Sequence, residues 1–159
     1  MLILGLDPGY ARAGWGIVRQ EKNSLQPIAF GCLETRANLS HPERLQKLQV
    51  ELQNIIAKYQ PDELAVEELF FFKNLKTALQ VAESRGVILA TAFACHLPVH
   101  EFTPLQVKQA ITSYGRADKN QIQQMVKLIL GMKTIIQPDD AADAMAIAIT
   151  CAHSIVKKY

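Results

Sequence analysis

SHPERLQKLQVELQNIIAKYQPDELAVE, residues 40–67, is the stretch whose reading decides the fold. Ser40 opens a Ser-His-Pro-Glu run in which Ser40 can cap a helix and Glu43 can reach back to it. Leu45, Leu48, Leu52, Ile55 and Ile56 recur at helical spacing, and Pro61 bars continuation, so a helix of about five turns is predicted to end near Tyr59. Glu63-Leu64-Ala65-Val66-Glu67 then reads as a short buried strand. Upstream, Leu2-Ile3-Leu4-Gly5-Leu6-Asp7 is a continuous apolar run, and residues 14–21 and 25–35 are two more. Asp7-Pro8-Gly9 and Glu21-Lys22-Asn23-Ser24 supply turn chemistry between them, so the three read as an antiparallel meander. A strand, a helix and a strand in succession form a crossover unit whose strands lie parallel. The chain is therefore mixed α/β.

Working toward the C-terminus, a second long helix is expected from about Leu75 to Cys95. Its latter half (Val87, Ile88, Leu89, Ala92, Phe93) is apolar nearly all round, as suits a helix beneath other layers or in a subunit interface. Pro98 to Phe102 is the fifth strand. Thr103-Pro-Leu-Gln and Asp118-Lys-Asn-Gln are further capping boxes, and Gly131 stops the second of these helices. Pro138-Asp139 opens the last helix, with Asp139 as its N-cap. No repeat, low-complexity tract or linker interrupts this pattern, so residues 1–159 are expected to form one domain.

Bulk properties set the frame. A 159-residue chain with 49% hydrophobic and 20% charged residues can bury a real core. Its formal charge of +2 is too mild to announce a nucleic-acid partner, which depends on local clustering. Cys32, Cys95 and Cys151 are odd in number and at no metal-ligand spacing, so they read as buried thiols rather than a disulfide framework or zinc site. His41, His96, His100 and His153 also lack ligand spacing and read as structural. The longest apolar tract, Gly86 to Val99, contains His96 and Pro98 and is too short to span a bilayer. With no cleavable leader pattern at residue 1, the expected location is the cytoplasm.

The chemistry lies in four carboxylates: Asp7 at the tip of the first strand, Glu67 ending a later one, and Asp140 and Asp143 opening the last helix. A desolvated acid needs a partner or a cation. Two like charges about 4 Å apart at an effective dielectric near 20 repel by roughly 4 kcal/mol, so converging acids are strained until divalent ions relieve them. Mg²⁺ favours a few carboxylates plus water and substrate phosphate, and such ions polarise a phosphodiester and activate water. Asp140 and Asp143, three apart in a first helical turn, are expected to point into one pocket. Taken singly, each acid could be a cap, a turn residue or a solvated charge; the joint pattern carries the reading. Phe70, Phe71 and Phe72 follow Glu67, and Phe70 is assigned to stack on bases. Residues 104–133 hold Lys108, Arg116, Lys119, Lys127 and Lys133 against the single acid Asp118, a local basic excess beside helix N-termini that offer donors to phosphate.

Asp-Pro-Gly-Tyr-Ala-Arg-Ala-Gly-Trp-Gly at 7–16, Ala-Val-Glu-Glu-Leu-Phe-Phe-Phe-Lys-Asn at 65–74, Glu-Ser-Arg-Gly at 83–86, Gln-Val-Lys-Gln at 106–109, Ala-Asp-Lys-Asn-Gln-Ile-Gln at 117–123 and Asp-Ala-Ala-Asp-Ala-Met-Ala-Ile-Ala at 140–148 resemble, in order, the RuvC-type Holliday junction resolvases. The resemblance implies an RNase H-like fold: a mixed five-stranded sheet, its first three strands antiparallel and the rest parallel, with helices on both faces. It implies a homodimeric crossover junction endodeoxyribonuclease that resolves four-way junction DNA in recombination and repair by paired symmetric cuts, leaving 5′-phosphate and 3′-hydroxyl ends. Asp7, Glu67, Asp140 and Asp143 match the family's catalytic metal-binding acids, which implies two Mg²⁺ per subunit with Mn²⁺ able to substitute. Phe70 matches the junction-stacking aromatic, Asn74 the polar residue after it, and Lys108 and Lys119 basic residues near the cleaved phosphate; Lys119 or Lys108 would offset charge developing there. Arg116 is expected to contact DNA, and a branch-migration motor is an implied partner. Two departures stand out: Ala13 where relatives often carry Thr, and Glu68 where they often carry Gln. Two rivals come from other classes. Actin-like ATPases and sugar kinases share an Asp-x-Gly turn but repeat the fold in two halves, and a non-cleaving junction-binding module would have lost a carboxylate.

Overall fold

A computed structural model describes residues 1–22, 24–69 and 75–155. The meander forms as read, with β1 over Leu2–Asp7, β2 over Arg12–Glu21 and β3 over Ser24–Glu34. Helix α1 (His41–Tyr59) crosses to β4 (Glu63–Glu67), α2 (Leu75–Ala94) to β5 (Val99–Phe102), and α3 (Pro104–Thr112), α4 (Lys119–Ile129) and α5 (Asp139–Ser154) complete the chain. Strand order is β3-β2-β1-β4-β5. β1 and β3 pair antiparallel with β2, whereas β1–β4 and β4–β5 are parallel. The expected sheet is observed, flanked by helices on both faces.

The caps explain where helices begin. At α1 the Glu43 carboxylate accepts from the Ser40 N–H at 2.6 Å. At α3 the Gln106 N–H donates to Thr103 Oγ1 at 3.1 Å and the Thr103 N–H to Gln106 Oε1 at 2.8 Å. Asp118 and Gln121 exchange the same pair of bonds at α4, each at 2.9 Å. At α5 the N-cap is Pro138, so Asp139 is a first-turn residue instead; its carboxylate is drawn to Lys119, 3.2 Å away, and Gln123.

Alternation along the strands sorts the core into two layers. Leu4, Leu6, Ile17, Leu64 and Val66 pack with Leu48, Leu52 and Ile55 of α1 and Ile88 and Ala92 of α2. Each Leu, Ile or Val among them contributes about 1.5–3 kcal/mol when fully buried, which fixes these helices on that face. Ile3, Val18 and Ala65 point the other way, into a layer with α3, α4 and the buried α5. Close approach of α5 depends on missing side chains. A Cβ on Gly5 would run into the Ala144 carbonyl oxygen, one on Gly14 into that of Asp140, and one on Gly16 into Met145.

The thiols are less buried than expected: Cys151 is fully buried, but Cys32 and Cys95 are half-buried. Cys32 stands at an edge strand rather than in the central layer. Among the described residues, no helix is long and apolar enough to cross a membrane.

Candidate active site

The pleat that sends Gly5 and Ala65 toward α5 also sends Asp7 and Glu67 there, two residues further along each strand. Gly5 is the registered partner of Ala65 and Leu6 that of Val66, so one more step sets Asp7 beside Glu67. Facing them is Asp143 of α5. All three line a cleft of about 250 Å³ with Lys108 of α3, Asp118 and Lys119, over Val107 and Ile147.

Asp140 departs from expectation. It does not line this cleft; its carboxylate pairs with Arg12 at 3.2 Å and receives the Cys32 thiol at 3.8 Å. The cause is the seating of α5, whose first turn rests on Gly14 of β2, two residues beyond Arg12. Asp143, nearly one turn later, has passed over toward β1 and β4. Lys119 holds the C-terminal side of the pair, its ammonium 3.2 Å from both Asp139 and Asp143.

The electrostatics are those of crowded acids. Burial pushes the Asp7 carboxyl well above its ordinary value, and the neighbouring Glu67, Asp143 and Asp140 carboxylates push it further. Glu67 is raised to about 7 by burial and then by Asp143, against the pull of Lys108. Burial likewise raises Asp143, with Lys119 opposing. For Lys119 itself burial works against the ammonium, but Asp143 and the bonds to Asp139 and Asp143 win, and the net shift is upward. Among the described residues, Asp7 and Glu67 form no ion pair.

Three hard oxygen donors in one open cleft suit a divalent ion that retains water and takes phosphate as a further ligand. As the side chains stand, no three His, Cys, Asp or Glu groups among the described residues are close enough to enclose an ion. The donor chemistry of Asp7, Glu67 and Asp143 fits such an ion, while the Asp143 carboxylate is engaged by Lys119 and that of Asp140 by Arg12. Arg116 is exposed and does not line the cleft, although its neighbour Ala117 does. Phe70 and Asn74 lie outside the described residues. Arg12, the partner of Asp140, was not singled out from the sequence, although it falls inside a block that carries the family resemblance.

Such a sheet, with helices on both faces, defines the RNase H-like architecture of junction resolvases. The yeast mitochondrial Holliday junction resolvase Ydc2 shares it, with a TM-score of 0.69 at 16% identity over 94% of this chain and 77% of that one. Residues 3–151 match the family described as crossover junction endodeoxyribonuclease RuvC, and the chain belongs to that family. The crossover junction endodeoxyribonuclease RuvC of Desulfitobacterium hafniense is 54% identical over 98% of this chain and 94% of its own length. That of Heliobacterium modesticaldum is 51% identical over 98% and 96%. Thermus thermophilus RuvC in complex with Holliday junction substrate aligns with a TM-score of 0.85 at 31% identity, covering 94% of this chain and 92% of that one.

Proposed function

We propose that this chain is a structure-selective endonuclease that resolves four-way DNA junctions by divalent-ion-dependent hydrolysis of phosphodiesters. The observation that carries the reading is the convergence of Asp7, Glu67 and Asp143 in one cleft with Lys108 and Lys119 at its rim, in a member of the RuvC family. Asp7, Glu67 and Asp143 would hold the ions, with Asp140 joining once freed from Arg12; two Mg²⁺ per subunit rests on family membership. When bound, Mg²⁺ supplies activation of water and stabilisation of the departing 3′ oxygen. The chain's own residues place the phosphate. Lys108 and Lys119 attract it into the cleft, and the Lys119 ammonium, released from Asp143, offsets charge that develops on the phosphoryl oxygens. Phe70 and Asn74, on the segment after Glu67, are assigned to the junction strands, and Arg116 to the DNA backbone. A branch-migration motor as partner rests on family membership.

Resolution needs two like cuts, and α2 offers a surface for a two-fold dimer. Leu79 and Phe93, 74% and 82% exposed, lie on one side of α2 with the exposed Gly86 and Ala90 between them. Positions seven apart share a helix face, so these residues form an apolar stripe pointing away from the sheet. An isologous pairing of this stripe would bring two clefts to two strands of like polarity.

The test is incubation of an end-labelled synthetic four-way junction with Mg²⁺ or with chelator, beside linear duplex and Asp7→Asn. Paired symmetric nicks in the junction alone, dependent on Mg²⁺ and on Asp7, are expected. Tight binding without incision across varied junction sequences would favour a recognition module.

A further inference from the structure

Arg85 lies on α2, on the sheet face opposite the acidic cleft, yet its guanidinium ends at the strand that carries Glu67. Its Nε donates to the Glu67 carbonyl oxygen at 3.2 Å, and a terminal nitrogen makes an ion pair with Glu101 of β5. The arginine side chain is 18% exposed and that of Glu101 46%, so one end of the bridge is buried and the other wet. Glu101 is the registered partner of Val66, and Phe102 that of Glu67. The Glu68 N–H donates to the Phe102 carbonyl at 2.8 Å. One guanidinium therefore spans the last rung between β4 and β5.

This rung is where precision matters. Glu67 is the final residue of β4, and its carboxylate projects into the cleft while its carbonyl is held from behind. The charges acting on that carboxyl are those of Asp143 and Lys108, whereas Arg85 acts on the main chain. A planar guanidinium meets a carbonyl and a carboxylate with donors in one fixed fork, whereas the three donors of an ammonium rotate at the end of a flexible stem and hold the pair less rigidly.

We propose that Arg85 is a positioning residue for Glu67, clamping the end of β4 to β5 so that the Glu67 carboxylate meets the divalent ion, with Glu101 orienting the clamp. The proposal rests on the metal-ion reading of the cleft given above. Groups that orient metal ligands typically contribute 10–100-fold to affinity.

The test titrates Mn²⁺ into the full chain by calorimetry for wild type, Arg85→Met, Arg85→Lys and Glu101→Gln, and measures the Mg²⁺ concentration for half-maximal junction cleavage. Arg85→Met is expected to weaken Mn²⁺ binding by about 10-fold or more and to raise the half-activating Mg²⁺ by a like factor. Saturating Mg²⁺ should recover most of its cleavage rate, Arg85→Lys should recover part of the affinity, and Glu101→Gln should show a smaller loss. A folded Arg85→Met with wild-type Mn²⁺ affinity overturns the proposal. Should Arg85→Met fail to fold, wild-type affinity in Glu101→Gln, which alters only the wet end, overturns it equally. A wild-type chain that binds no Mn²⁺ removes the metal-ion reading, and the clamp with it; a wild type that binds beside unaffected variants removes the clamp alone.

Discussion

Asp7 is held in a place that favours its neutral form, and that sets what its replacement does. Asp7→Asn keeps the shape and fixes the neutral state that the cleft favours, so in chelator, at a pH where the native carboxyl is ionised, it should raise the thermal midpoint by about 2–4 °C per kcal/mol of repulsion relieved. Junction cleavage should fall at least about 100-fold, because a lost ligand costs more than a lost supporting group. Glu67 gives the pH dependence. Its folded-state value of about 7 lies above the ordinary 4.5, so the folded protein binds the extra proton between those values. The stabilisation is present below about pH 4.5 and is lost as pH rises through about 7. Thermal melts in chelator should show that decline, and saturating Mg²⁺, by preferring the ionised form, should flatten it and release protons on binding. Lys119→Met separates two roles of one ammonium. Freed of its rival for Asp143, the ion should bind at least as tightly, while the cleavage rate at saturating Mg²⁺ drops by about 100-fold. At this scale the acids were legible because carboxylates at strand ends are costly without a purpose. The turn of Asp140 toward Arg12 was not, since it depends on where α5 is seated across the sheet.

Secondary structure was the most legible level. The capping boxes at Ser40, Thr103 and Asp118 marked helix starts to the residue, and the short buried strand read over 63–67 matched β4 end to end. The seating of α5 was hidden, because Gly5, Gly14 and Gly16 acquire meaning only when strand register lines them up beneath a helix. Gly14→Ala should therefore push the first turn of α5 off β2, at a cost of about 1–3 kcal/mol, and move Asp140 with it. Denaturant melts would read the first effect and Mn²⁺ titration the second. The cap at α4 also links stability to chemistry, since Asp118 precedes Lys119. Asp118→Ala should cost about 1 kcal/mol.

Across the whole molecule, the exposed stripe on α2 contains none of the residues that line the acidic cleft, so the proposed pairing can be tested without altering a carboxylate. Leu79→Asp with Phe93→Asp should shift sedimentation toward a monomer and turn paired incisions into single, uncoordinated nicks, with the melt of the folded chain little changed. The order of parts along the chain has a consequence for how such an enzyme is made. Asp7 and Glu67 belong to early strands, whereas Asp143 arrives on α5, the helix that also covers Gly5, Gly14 and Gly16. While a ribosome is still translating α4, the nascent polypeptide has neither its third carboxylate nor the helix that buries that face of the sheet. A product terminated before α5 would lack Asp143 and leave Gly5, Gly14 and Gly16 uncovered, so the acidic cleft and the closed face of the sheet arrive together, with one helix.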